Sequence, residues 1–563
     1  MQANLERCFR RLYPLLPVLA VAGITARLYW NLAKATDLAF ADEAFYLGSG
    51  GRLRYEGLLP NFQYSPLYAI WYALHLAATG DPISAYYAQM YVCAFLTVVL
   101  TYLYLRSIEI PKGMGALGAL LWVAQPAYMR FEWGIGWSRP YHFAFLVFLA
   151  GALTVRKLKP AGRIPVVLGS MSFLLLAAAV RSEYLGCLIL FACLVGLGRH
   201  SGLPENALRS RRYIFCSVCL SIAVTTLVAW MYLRGRPPEE NPFFAVDRSW
   251  CNFGETFSIY QLGLNGDGNL SPWYDWQIVL AHTFPGAHNI AGAAFASPKA
   301  FAHFELYNVL TLPRIICSYV MMQPYPLIRV MVLCLAFVWI SLFTSTSTTL
   351  RRSAFATTGS TLGPYVLSGA AVLLPNILMT PRITLLLPFL FLLFVGVLKW
   401  LSIVLESEPR LFRSASALCG IALSLVLLVI PSPFDSHSRE KPPRYLEMTQ
   451  LRDVLEGRRL KAVRLLKADA PGICAFLPRG LVRDTVEPVW RLDAEPFWDF
   501  MHRKRIDAVL VNDELRSMRQ FRHDPDFFLF LRSPNQFGWS VVPVGTRGEF
   551  LYRHDSAEAS LRR

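Results

Sequence analysis

"ISAYYAQMYVCAFLTVVLTYLYL", residues 83–105, carries no charged side chain along its whole length. A helix needs about 20 apolar residues to cross the hydrocarbon core of a bilayer, and this stretch has them. Similar runs recur at 12–30, 114–129, 139–155, 164–180, 184–198, 213–233, 325–344, 361–379, 383–401 and 414–431. Hydrophobic residues make up 54% of the 563, and charged ones 17%, against about 25% in globular domains. The pattern predicts a polytopic α-helical membrane protein with about eleven spans.

The net charge of +17 invites a nucleic-acid reading, but its placement argues against one. Residues 432–563 hold 23 Lys and Arg against 19 Asp and Glu, so most of the excess lies in the membrane part. There it clusters between the runs: Arg7, Arg10 and Arg11; Arg106 and Lys112; Arg156, Lys157, Lys159 and Arg163; Arg199, Arg209, Arg211 and Arg212; Arg351 and Arg352; Arg410 and Arg413. With eleven spans all of these fall on one side, and short basic loops stay cytoplasmic. The N-terminus is then cytoplasmic and the C-terminal region periplasmic or otherwise extracytoplasmic, in the inner (plasma) membrane. The first run continues into Tyr29 and Trp30, an interfacial aromatic pair, and reads as a retained span rather than a cleaved signal. Most of the eleven cysteines lie inside apolar runs, where Cys serves as a small apolar residue. Cys216-x-x-Cys219 has no His or Cys partners that would suggest a metal.

This organisation predicts a membrane domain over 1–431 and a soluble exported domain over 432–563. The exported loops of the first are 31–82, 130–138, 181–183, 234–324 and 380–382. "SPLYAIWYALHLAA" (65–78) reads as an amphipathic helix in the interface, with Tyr68, Trp71 and Tyr72 at headgroup depth. "NGDGNLSPWYDW" (265–276) has the spacing of a calcium loop, but Leu270 and Trp276 stand where its glycine and closing Glu belong. In the tail, "GICAFLP" (472–478) and "IDAVLVND" (506–513) are of strand length, with a helix between them over 495–505. A hairpin over 538–554 closes a small α/β domain.

Ionisable residues at span ends are functional candidates by default. On the exported side these are Asp42 and Glu43 in "FADEAFYLGSGGRLRYEG" (40–57), Glu132 and Arg139 in "RFEWGIGWSRPYH" (130–142), Arg181 and Glu183 in "RSEY", and Arg382 in "TPRITLLLP". Each has a plainer reading: the acid pair opens a helix, Arg181 pairs with Glu183 across a turn, Arg382 snorkels to the headgroups, and His75 and His142 bond locally.

An acidic pair in the first exported loop, then "YSPLY" (64–68) and a membrane-plane helix, then "PRITLLLPFLFLL" (381–393) entering a late span, then an exported tail: together these resemble the GT-C glycosyltransferases, specifically the dolichyl-phosphate-mannose protein mannosyltransferase and aminoarabinose transferase group. The resemblance spans the architecture of the chain, with motif matches over 37–68, 181–186 and 380–390. The chain departs from the family pattern at Tyr64-Ser65-Pro66, at Glu132 and at Ile383, positions that bear on sugar and acceptor.

The resemblance implies an inverting transfer of a sugar from a polyprenyl-phosphate donor to a hydroxyl of a saccharide, lipid or protein acceptor at the outer face of the bilayer. Phosphate is a good leaving group, so the chemistry needs a carboxylate to take the acceptor's proton and cations for the phosphate. Asp42, Glu43 and Glu132 are the expected catalytic acids, and Arg382, Arg181 and Arg139 the expected donor-phosphate ligands. Tyr46, Tyr64 and His142 are expected against the substrate. No cofactor is required by this reading. Asp42 and Glu43 are also candidate ligands for a divalent cation, Mg or Mn, bridging to the phosphate. The rival from another class is a lipid or saccharide transporter or flippase. Transporters carry repeated halves and charges at mid-membrane, whereas these charges sit at one surface and no halves repeat. A catalytically inactive scaffold is a third class, against which the retained acid pair speaks. Release of sugar from a polyprenyl-phosphate donor by the purified protein separates the three.

Overall fold

The structure is a computed structural model that describes residues 16–38, 42–61, 64–123, 139–196, 207–235, 248–265, 270, 272, 275–321, 363–379, 385–406, 443–460, 462–468, 473–478, 480–486, 495–521, 523–545 and 548–553. The expected spans at 325–344 and 414–431 lie outside these residues, as does most of 265–276.

The helices are α1 (Leu16–Leu28), α2 (Asp42–Glu56), α3 (Pro66–Thr79), α4 (Pro82–Ser107), α5 (Lys112–Val123), α6 (Arg139–Leu158), α7 (Arg163–Val180), α8 (Tyr184–Gly196), α9 (Ala207–Arg234), α10 (Arg248–Asn265), α11 (Trp276–Thr283), α12 (Ile290–Ala296), α13 (Pro298–Met321), α14 (Leu373–Leu378), α15 (Leu387–Glu406), α16 (Pro443–Gly457), α17 (Phe497–Arg503) and α18 (Pro525–Arg532). Among the described residues four helical segments are long and apolar enough to cross a membrane: Pro82–Ser107, Pro140–Leu158, Arg163–Val180 and Tyr213–Arg234. The chain is a helical membrane protein.

By compactness the chain forms two units. The first takes in Met1–Trp30, Leu59–Tyr68 and Met90–Pro433, and the second Asn31–Leu58, Ala69–Gln89 and Phe434–Arg563. In the first, α6 and α7 form an antiparallel pair joined by a short basic turn, and α9 lies along α7. Their neighbours meet through aromatic rings: Trp122 of α5 stands 5.5 Å from Phe145 of α6 and 5.2 Å from Phe391 of α15. The Tyr365 hydroxyl reaches the carbonyl of Phe148 at 3.0 Å. It does so beside Gly151, where a Cβ would lie 2.1 Å from that oxygen. Between α9 and α14, helices α10–α13 gather Trp250, Phe253, Phe257, Trp276, Phe284 and Phe304 into a separate aromatic core.

In the second unit the tail builds a five-stranded sheet from β1 (Val463–Lys467), β2 (Val482–Val486), β3 (Ala508–Val511), β4 (Trp539–Val544) and β5 (Gly548–Arg553), in the order β2-β1-β3-β5-β4. β2, β1 and β3 run parallel, and β5 pairs antiparallel with both β3 and β4. Phe497, Phe500, Phe527, Phe530 and Trp539 pack one face of it. A side chain of this size contributes about 1.5–3 kcal/mol when fully buried, so this core has internal cohesion. One expected strand is corrected. "GICAFLP" is a 3-10 turn over Ile473–Phe476, and the strand before it is "VRLLK". A short apolar run does not distinguish a buried strand from a buried turn, and the basic ends of Val463–Lys467 disguise a strand whose Leu465, Leu466 and Lys467 are all buried.

Candidate functional site

Asp42 and Glu43 are the first two residues of α2. Carboxylates there complement the positive end of the helix dipole. Glu43, Tyr46, Leu47 and Gly50 of α2 are buried at helical spacing, and Glu43 and Gly50 meet α3. At Gly50 a Cβ would sit 2.5 Å from the Cβ of Tyr72 and 3.0 Å from the backbone nitrogen of Ala73. Only glycine lets the two helices close at this point. That approach brings the Tyr72 hydroxyl to Oε1 of Glu43, which accepts its hydrogen bond. At the other end of α2, Arg54 donates to the carbonyl of Leu76 in the last turn of α3, the end of that helix that favours a cation.

The opposite flank of α2 is set by the tail. A Cβ on Gly48 would come 3.5 Å from that of Ala475 in the 3-10 turn, ordinary van der Waals contact. Phe476 of the same turn meets Tyr86 edge-on at 5.3 Å, and the Tyr86 hydroxyl donates to the carbonyl of Asp37. The Asp37 carboxylate accepts from the backbone nitrogens of Arg444 and Tyr445, at 3.0 and 2.9 Å, and so satisfies the open start of α16. Arg452 of α16 lies 3.4 Å from Asp81. The acid-bearing helix is therefore clamped between α3 and the tail.

In the first unit Arg181 ends α7, and its side chain is 7% exposed. It donates through Nε to Glu183 at 3.1 Å and through Nη2 to both Glu183 and the Tyr141 hydroxyl. Its guanidinium carbon stands 4.0 Å from the centre of the Tyr141 ring. The pairing of Arg181 with Glu183, one of the readings of "RSEY", is the one observed. His142, the next residue on α6, is buried.

Tyr64 and Tyr46 are buried as well, as are Tyr68 and Tyr72, which the amphipathic reading of 65–78 placed among the headgroups. Tyr68 lies against Phe143, with ring centres 5.6 Å apart, and Tyr72 is committed to Glu43. Ser65, between Tyr64 and Pro66, has a φ of 57°, a left-handed conformation that costs a non-glycine residue about 1–3 kcal/mol. Glu132 and Arg382 lie outside the described residues, and so do the side chains of Asp42 and Arg139. Among the described residues Cys216, Cys219, Cys251 and Cys474 form no disulfide.

Asp37, Gly50 and Tyr72 had no functional expectation attached to them. One signal for Asp37 was present: the helix at 443 opens on Lys-Pro-Pro, with no Ser, Thr, Asp or Asn before it to cap its start. No family model matches the chain, and no curated protein is similar to it.

Proposed function

We propose that the protein is an inverting glycosyltransferase of the membrane surface. It moves a sugar from a polyprenyl-phosphate donor to an acceptor hydroxyl on the extracytoplasmic side of the inner (plasma) membrane. The observation that carries this reading is the mounting of the acid pair. Two carboxylates open a helix in the loop after the first apolar run, and one of them, Glu43, is buried and held by Tyr72. Holding Glu43 fixes the first turn of α2, on which Asp42 stands next to it, and a general base needs such a defined position.

In this reading the adjacent acids have separate roles. Glu43 anchors the first turn of α2, and Asp42 accepts the proton of the acceptor hydroxyl. The hydroxyl oxygen attacks the anomeric carbon as the bond to phosphate oxygen breaks, so one displacement inverts the configuration. Arg382 and Arg139 are assigned to the phosphate, whose charge a guanidinium fork matches. Arg181 shapes that end of α6 and α7 through Glu183 and Tyr141. Glu132 is retained as a second acid of the extracytoplasmic face.

Among the described residues no three His, Cys, Asp or Glu side chains converge, and Glu43 already accepts from Tyr72. Asp42, whose side chain lies outside the described residues, and Glu43 are the groups that would hold a divalent cation against the phosphate, and EDTA with add-back of Mg or Mn tests for one.

Asp42→Asn removes proton acceptance with almost no change of volume. The purified variant is expected to lose about 10²–10⁴ in transfer rate while still binding the polyprenyl-phosphate donor. Full activity in a folded, membrane-inserted variant would return the acid pair to a helix-opening role.

A further inference from the structure

Two helices of the tail end in the same way. In α16 the backbone nitrogens of Arg459 and Leu460 donate to the carbonyls of Glu456 and Leu455, at 3.0 and 2.8 Å. In α17 those of Arg505 and Ile506 donate to the carbonyls of His502 and Met501, at 3.1 and 3.0 Å. This pair of bonds closes a helix by turning one residue into the left-handed conformation, and that residue is usually glycine. Here it is arginine both times, with φ of 55° at Arg459 and 51° at Arg505. A side chain in that conformation is strained, and glycine would close both turns at lower cost. The buried Leu460 and Ile506 that follow explain how the turns pack, not why arginine stands in them.

The two turns lie side by side, because they feed the neighbouring parallel strands β1 and β3. Arg464 of β1 donates from Nη1 to the Lys504 carbonyl at 2.8 Å, and its own carbonyl accepts from the Asp507 nitrogen at 2.9 Å. One end of the sheet thus gathers Arg458, Arg459, Arg464, Arg503, Lys504 and Arg505, of which Arg458, Arg459, Arg503 and Arg505 are exposed. The acids among them are Glu456, Glu495 and Asp507. Glu495 is taken by Arg503 at 2.7 Å, and Asp507 by the Arg464 backbone nitrogen at 3.0 Å. Cations in a last turn complement the helix dipole, which accounts for one at each helix end but not for a patch of this strength. The membrane is close. Arg452 of α16 lies 3.4 Å from Asp81, the residue before the candidate span Pro82–Ser107. Arg459 follows at about 10 Å along the chain axis, at 1.5 Å per residue of helix.

We propose that this end of the sheet docks on anionic lipid headgroups, with the guanidinium groups of Arg459 and Arg505 on their phosphates. The guanidinium fork matches phosphate geometry, and a polybasic surface beside a span is drawn to an anionic bilayer. The two strained turns set both arginines at matching positions where adjacent strands begin, so the spacing of the pair is fixed by the sheet.

The test uses the wild-type full chain in nanodiscs of phosphatidylcholine, with and without phosphatidylglycerol. Phenylglyoxal modifies accessible guanidinium groups, and its adducts are mapped over time by mass spectrometry. Each cation at an anionic surface gains about fivefold in binding, so Arg459 and Arg505 should react about fivefold more slowly, or slower still, with phosphatidylglycerol present. High salt should remove the difference. Arg516, 40% exposed beyond the other end of β3, is the reference and should react alike in both discs. Equal rates for Arg459 and Arg505 in the two discs would overturn the proposal. So would slow reaction in both, because the chain itself would then cover the patch. The same protection from inorganic phosphate in phosphatidylcholine discs, at matched phosphate, would overturn it too, by showing a site for a free anion instead of a docking surface.

Discussion

Glu305 shows what burial does to a single carboxyl. Desolvation raises its pKa from the ordinary 4.5 to about 7, because the charged form gives up water and gains no partner among the described residues. For a raised carboxyl the contribution of the neutral form is intact below about 4.5 and is lost as the pH rises through about 7. Glu305→Gln keeps the shape and removes the ionisation. The variant should melt with the wild type below about pH 4.5 and increasingly above it between about 4.5 and 7, with the gap levelling off beyond that. Parallel melting profiles for the two proteins across that range would show that Glu305 ionises as readily folded as unfolded, so that burial does not hold it neutral. The sequence offered Asp42 and Glu43 for notice because acids at a span boundary are rare. It offered no such cue for Tyr72 or Gly50. A tyrosine in an aromatic-rich helix and one glycine among several acquire meaning only when α2 and α3 meet.

At the scale of elements, the start of α16 depends on a residue 407 positions away in the chain. A missing side-chain cap costs about 0.5–2 kcal/mol, and Asn caps nearly as well as Asp. Asp37→Ala should therefore destabilise the second unit by about that amount, and Asp37→Asn should restore most of it. Hydrogen exchange reads the effect: amides over 444–447 should lose protection in the alanine variant and regain it in the asparagine variant, while those of β3 and β5 stay unchanged. Equal protection in all three proteins would mean that the tail holds α16 unaided. Apolar patterns found the helices of 83–105, 139–155, 164–180 and 213–233 and the β4–β5 hairpin, because those depend on neighbours in sequence. The same patterns read α10–α13 as a loop and missed α16 altogether. They misread "GICAFLP", since a short buried run is apolar in a turn as in a strand. They also passed over β1, whose own Arg464 and Lys467 interrupt its apolar residues.

At the scale of the whole molecule the basic residues and the described helices can be set against each other. Arg156, Lys157, Lys159 and Arg163 crowd the turn between α6 and α7. Arg181, Glu183 and Tyr141 meet at the other end of that pair. These two ends belong on opposite sides of the membrane, because Pro140–Leu158 and Arg163–Val180 are each long and apolar enough to cross it. Because short basic turns tend to be retained in the cytoplasm, the Arg181 end is expected on the extracytoplasmic face. From there α8 leads back toward the basic segment at 199–212. An alkaline phosphatase fused near residue 205 should therefore be inactive, and one fused after residue 440 should be active, since that enzyme folds only outside the cytoplasm. The reverse pattern would turn the molecule over. It would place Asp42 in the cytoplasm, remove the ground for an extracytoplasmic transfer, and leave the packing of α2 against α3 and the tail as it stands.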